Sequence, residues 1–253
     1  MLYILIMHSN GASVWDPENF NAFTYSKVSH FGFFFREEVD PHYFGNLDNP
    51  TACSLKNYQD MLTLSFVRRN VPAGTRILEV GGGESRLIRH LKTEYDCWNL
   101  DKLAGNGQGP LEIRVDGFHL VRDYIGNFSP ELPDNHFDFV FSISALEHIP
   151  NDDPGLYPRI LEDINRVLKP GAYSLHCLDS IIKPDRLWTN ALLPFLFAHA
   201  RPLNQFVTYE ELRSVGDVFS LPKCIYDQNW LPLTKTPYRE FGRPISINIL
   251  WSK

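Results

Sequence analysis

The spacing of apolar residues changes repeatedly along the chain, and the changes mark out alternating strands and helices. From 76 to 80 the run Arg-Ile-Leu-Glu-Val has the composition of a buried central strand. It stops in Gly81, Gly82 and Gly83, and Leu87, Ile88 and Leu91 then recur at helical spacing. Upstream, Leu55, Tyr58, Met61, Leu62 and Phe66 predict an amphipathic helix over 54–69, ended by Val71-Pro72-Ala73-Gly74. Downstream, short apolar runs predict strands at 97–100, 111–115, 137–142 and 172–178, with a helix at 118–128. Over 158–168 Ile160, Leu161, Ile164, Val167 and Leu168 share a face opposite Arg159, Glu162, Asp163 and Arg166, and Lys169-Pro170-Gly171 ends that helix. Thr208-Tyr209-Glu210-Glu211 has the form of a capped helix start. Pieces at 223–226 and 245–251 read as the last two strands. The sum is an α/β fold around a mostly parallel sheet.

Two stretches fall outside this rhythm. Residues 1–54 are rich in aromatics and turn formers without a sustained period, and are read as an irregular cap on a main domain at 55–253. The cap is either a cover packed on the core or part of a lid over a pocket. Residues 187–200 form a very apolar patch within an insertion at about 180–206, readable as a lid, a homodimer patch or a buried structural helix.

Composition narrows the function. A net charge of −6 without a basic run longer than Arg68-Arg69 lacks the footprint of a nucleic-acid binder, and favours a small-molecule partner. Cys53, Cys97, Cys177 and Cys224 are widely spaced, which argues against a zinc site or a disulfide framework and for a cytoplasmic setting. The apolar opening at 2–7 is too short for membrane insertion and lacks the basic flank of a signal.

The glycine turn is the candidate ligand site. Glycines remove Cβ where backbone approaches a ligand, and free N–H groups at the following helix start face the turn. Dinucleotides and S-adenosyl-L-methionine both use such a turn. A dinucleotide fingerprint needs a third glycine where Arg86 stands, and Glu79 repels a pyrophosphate but suits the ammonium of a methionine moiety. Asp101, some twenty residues on, can accept hydrogen bonds from ribose hydroxyls or be an ordinary loop residue. The glycine-rich segment 102–110 is too short for an ordinary crossover helix.

Three segments in order, Ile-Leu-Glu-Val-Gly-Gly-Gly at 77–83, Ser-Ala-Leu-Glu-His-Ile at 144–149 and Arg-Val-Leu-Lys-Pro-Gly at 166–171, resemble the motifs of class I S-adenosylmethionine-dependent methyltransferases. The resemblance spans about 76–178. It implies a Rossmann-like methyltransferase fold with a mostly parallel seven-stranded sheet, an antiparallel edge pair and helices on both faces. It also implies S-adenosyl-L-methionine as cofactor. Gly81 and Gly83 would then admit the methionine part, Glu79 would face its ammonium, Asp101 would hold the ribose, Asp116 would orient adenine, and Ser142 and Ser144 would border the sulfonium. An oxygen acceptor needs its proton removed, and the candidate bases are His148, Asp152 and His176, with Asp153 and Asp179 behind them. His148 can equally be a structural tie between loop and helix. Some relatives bind Mg²⁺ through a Glu-x-x-Glu-His segment, but Ser144 occupies the first position here, so no metal is expected. The expected acceptor is a sugar or natural-product hydroxyl, by analogy alone. A non-catalytic binding subunit and a nicotinamide-dependent oxidoreductase are the rivals.

Overall fold

The computed structural model describes residues 17–34, 44, 50–105, 109–150, 153 and 155–253. Its centre is a seven-stranded sheet of β1 (Arg76–Val80), β2 (Asp96–Leu100), β3 (His119–Val121), β4 (Phe137–Ile143), β5 (Leu168–Ile182), β6 (Leu187–Trp188) and β7 (Arg243–Ser252). The order is β3-β2-β1-β4-β5, with β6 and β7 both antiparallel to β5. The five other strands pair in parallel. A parallel sheet must be covered on both faces, because each strand sends alternate side chains to opposite sides.

Ile77, Phe139, Phe141 and Leu175 enter one core with α1 (Leu55–Asn70) and α2 (Arg86–Leu91). Leu78, Val140, Leu178 and Ile247 enter the other with α3 (Leu156–Val167), α4 (Leu192–His199) and Leu212 of α5 (Tyr209–Ser214). α5 starts with a complete capping box between Thr208 and Glu211.

Helix α1 spans the expected range, capped by Ser54, but it is not amphipathic. Gln59, Asp60, Thr63 and Ser65 are buried along with its apolar residues, because the sheet lies on one side and the N-terminal aromatics on another. Those aromatics act as a cover. Phe20, Phe23 and Phe31 are buried in the α1 core, and the chain at 24–26 bonds to the outer edge of β7 through Ser26 N–H to Ser246 O (2.9 Å) and Asn248 N–H to Thr24 O (2.7 Å). An exposed sheet edge is thereby closed.

The expectation at 187–200 resolves to the buried structural helix, since Leu192, Leu193 and Leu196 of α4 are fully buried against α3. Three local expectations are corrected. The third strand is 119–121, not 111–115, because Leu111 is 69% and Val115 48% exposed and neither has a core to join. The expected helix at 118–128 is therefore that strand and the turns after it. The piece at 223–226 is helical, α6 (Lys223–Asn229), because Tyr226 packs against Trp230 one turn on and against Tyr238 and Phe241.

Candidate active site

In open α/β sheets, ligands bind beyond the carboxyl ends of the strands where the strand order reverses, here between β1 and β4. A cleft of about 610 Å³ lies there, a size suited to a nucleotide-like ligand. Its walls come from the glycine turn, from 101–105 after β2, from 123–127 after β3 and from 144–150 after β4, with Lys56 at the start of α1.

The glycine turn is built by neighbouring side chains. Gly81 sits at φ +72°, and a Cβ on it would stand 2.6 Å from the Ala145 Cβ. A Cβ on Gly82 would strike Asn99 Oδ1 at 2.7 Å and Glu79 Cδ at 2.9 Å. Asn99 accepts from Gly82 N–H (3.2 Å) and donates to Gly83 O (3.0 Å), while Asp101 Oδ2 accepts from Gly83 N–H (2.8 Å). The backbone of the turn can thus be laid bare to the cleft without falling in. This cradle fits a ligand that approaches main chain, as the methionine part of S-adenosyl-L-methionine does.

Five expected site residues converge on the cleft: Gly81, Gly83, Asp101, Ser144 and His148. The others do not. Glu79 lies beneath the turn, buried, with its carboxyl accepting from the Ser85 hydroxyl, and burial raises its pKa to about 7. It supports the loop and does not line the cleft. Asp116 is corrected: it is exposed, paired with Lys92 at 2.7 Å, and away from the cleft because β3 starts after it. The acid in its place is Asp123, which lines the cleft just after β3 and accepts from Tyr124 N–H (2.8 Å) and Asn127 Nδ2 (2.7 Å). Ser142 and His176 are corrected together. Both are fully buried, Ser142 Oγ lies 2.7 Å from His176 Nδ1, Ser174 Oγ lies 2.8 Å from Nε2, and Trp251 stacks on the imidazole. Burial pushes the His176 pKa down to about 3, so this ring is a neutral core residue and not a base. Asp152 lies outside the described residues.

Sequence reasoning missed what stands behind Ser144. Ser144 adopts φ +46°, a left-handed conformation that strains a residue with a side chain. Its hydroxyl donates toward Gln59 Oε1 (2.7 Å) and Asp179 Oδ1 (3.0 Å), and Gln59 Nε2 donates to the same Asp179 oxygen (2.8 Å). Glu147 Oε1 accepts from the Asp179 N–H (3.2 Å). Asn190 donates to the carbonyls of Glu147 and Ile149, both at 2.9 Å, pinning the loop that carries His148. Gln59 carries no distinctive sequence signal, since Lys56, Asn57 and Asp60 beside it in α1 are polar too.

In sequence the chain is similar to known methyltransferases. A methyltransferase-domain family model matches residues 55–217. A glycine/sarcosine/dimethylglycine N-methyltransferase of Actinopolyspora halophila is 34% identical over 103 residues, 38% of this chain and 17% of that protein. A phthiotriol/phenolphthiotriol dimycocerosates methyltransferase of Mycobacterium ulcerans is 31% identical over 134 residues, 50% of this chain and 46% of that one. The chain thus spans less than half the length of these curated relatives. Among solved structures, a SAM-dependent methyltransferase from Leishmania major covers 95% of this chain and 87% of its own at 13% identity, with a TM-score of 0.47. With the strand order, the glycine cradle and a family match across most of the sheet, the chain belongs to the methyltransferase-domain family and has its Rossmann-like fold.

Proposed function

We propose that this chain methylates a hydroxyl oxygen of a small molecule, of the sugar or natural-product kind. The observation that carries the reading is the joint placement of Ser144 and His148 in the cleft that also holds the glycine turn and Asp101. When bound, S-adenosyl-L-methionine supplies a sulfonium-activated methyl group, and the protein supplies position, exclusion of water and a base. Gly81 and Gly83 would face the methionine part. Asp101, whose carboxyl already orders Gly83 N–H and Leu103 N–H (2.8 and 2.7 Å), would present its free lone pairs to the ribose, and Asp123 would meet adenine. His148 would take the acceptor's proton. Burial lowers its pKa below the ordinary 6.5, against the opposing charge of Asp179, so it is neutral at pH 7 and able to accept. General-base assistance of this kind is typically worth ~100- to 10,000-fold.

An amine acceptor is the second reading, favoured by the acidic pair Glu147 and Asp179 behind the loop and by the N-methyltransferase names among the relatives. Four free cysteines, three of them buried, support the proposed cytoplasmic setting, and among the described residues no helix is long and apolar enough to cross a membrane. The division into a cap at 1–54 and a main domain at 55–253 is retained as a proposal, as is a homodimer.

Isothermal titration with S-adenosylhomocysteine, with NADH as control, tests the site. Micromolar binding of the first alone, weakened in Asp101→Ala at unchanged melting temperature, supports it. No binding returns the chain to the non-catalytic alternative. Methyl transfer from labelled cofactor to a panel of alcohols and amines then separates the two acceptors.

A further inference from the structure

The mechanism above uses His148 but leaves unexplained why two carboxyls, Glu147 and Asp179, are brought together directly behind it. Asp179 Oδ1 accepts from Gln59 Nε2 and shares the single Ser144 hydroxyl proton with Gln59 Oε1. Glu147 receives no side-chain donor among the described residues: backbone N–H groups, its own and that of Asp179, serve its carboxyl, and its Oε2 is buried with no hydrogen-bond partner there. Two carboxylates so close cannot both stay ionised in a dry setting. The donors decide which one does: charge-directed hydrogen bonds hold it on Asp179, and the orphaned oxygen of Glu147 takes the proton. Burial raises the pKa of both carboxyls; at Glu147 the neighbouring Asp179 raises it further, to well above the ordinary value, whereas at Asp179 the Gln59 and Ser144 hydrogen bonds and the His148 charge act the other way, so the charge stays on Asp179. The other ionisable groups facing the pair are Lys56 on α1, His148 on the loop after β4 and the buried Cys177 thiol on β5.

We propose that Asp179 is a positioning residue for the transfer step: through Ser144 it fixes the strained loop that carries His148 into the cleft, and its carboxylate is the counter-charge for the imidazolium formed there. The proposal rests on the hydroxyl-acceptor reading. In the step, the acceptor O–H bond breaks, its proton moves to an imidazole nitrogen of His148, and the electron pair left on oxygen forms the new bond to the methyl carbon as the methyl–sulfur bond breaks, its pair staying on sulfur so that S-adenosylhomocysteine leaves as the neutral thioether. The positive charge gained by His148 is met by Asp179, while Glu147, already neutral, adds no second negative charge to the buried loop.

The test is histidine ¹³C NMR titration of the full chain saturated with S-adenosylhomocysteine, with the His148 signal assigned by its loss in His148→Gln. In Asp179→Asn the His148 midpoint is expected to fall by ~1 pH unit, the usual effect of losing an opposite charge nearby. Glu147→Gln is expected to leave it in place. An unchanged midpoint in a folded Asp179→Asn protein overturns the proposal. Carboxyl ¹³C titration of the unsubstituted protein is a second arm that needs no variant: Glu147 neutral and Asp179 charged at pH 7 supports it, and Asp179 neutral at pH 7, or both ionised at pH 6, overturns it. Failure of S-adenosylhomocysteine to bind would instead remove the underlying reading, and the titration of the free protein would still report on the Asp179–His148 pair.

Discussion

Arg86 stands where a dinucleotide-binding turn has its third glycine, and the structure gives it a different task. Its guanidinium crosses from the first turn of α2 to Asp60 of α1 at 2.5 Å, and also meets Asn57. The Asp60 side chain is only 3% exposed and that of Arg86 32%. Even with this partner, burial lifts the Asp60 pKa from 3.8 to about 6. The folded state therefore binds this proton more tightly than the unfolded chain does. The stability from Asp60 is fully present below pH ~4 and is lost as pH rises through ~6, by ~3 kcal/mol for a two-unit gap at ~1.4 kcal/mol per unit.

Replacing Arg86 by Met removes the counter-charge and leaves Asp60 buried. Breaking a buried pair typically costs ~3–5 kcal/mol. The partial exposure of Arg86 and the ability of Asp60 to escape by taking a proton cap the loss at ~2–3 kcal/mol at pH 8. At pH 5, where Asp60 is already largely protonated, the loss shrinks to about 1 kcal/mol or less. Urea denaturation of the wild type, Arg86→Met, Asp60→Asn and the double variant at both pH values reads this directly, and the double variant should recover much of the pH 8 loss. Equal destabilisation by Arg86→Met at pH 5 and pH 8, or a loss under ~0.5 kcal/mol at pH 8, would refute a buried charged brace and return Arg86 to an ordinary surface role.

Gly81→Ala places a methyl group against Ala145 at φ +72°, so melting should fall and S-adenosylhomocysteine affinity should drop at least tenfold, about 1.4 kcal/mol, by calorimetry. His176, held neutral by burial with a pKa near 3, contributes stability that is present above pH 6.5 and lost as pH falls from 6.5 toward 3; His176→Gln should show a shallower acid slope in denaturation between pH 7 and 4. Asp116→Ala, which removes only an exposed ion pair to Lys92, should leave cofactor affinity within about twofold, whereas Asp123→Ala should weaken it by tenfold or more, both read by the same titration.

The sheet centre was legible in the sequence because β1 and β4 are buried on both faces and leave continuous apolar runs at 77–80 and 137–143. α3 was legible for the opposite reason, one apolar face and one polar. Even there the pattern misled at one position: Asp163 sits on the polar side by sequence yet is fully buried, because it accepts from Gly126 and Phe128 N–H and pairs with Arg166. The edge strand β3 was hidden because three residues with one fully buried side chain carry almost no periodic signal, while the exposed segment 111–115 alternates like a strand without packing as one. That single misplacement put the expected acid at Asp116, which is exposed, and passed over Asp123, which lines the cleft.

The same reasoning explains why the catalytic face was harder to read than the cofactor face. The glycine turn is a local device: its residues are consecutive, and Asn99 and Asp101, which hold it, come from the next strand in register. The His148 side is assembled from α1, the loop after β4, β5 and the segment carrying Asn190, and its hydrogen bonds join residues 32 to 120 positions apart. No spacing rule connects Gln59 to Asp179. The structure alone shows Gln59 buried and Ser144 left-handed. Gln59 and the left-handed Ser144 meet at one carboxylate, Asp179, and it is there, not at the buried His176 three positions before it, that we propose the chemistry of this face is organised.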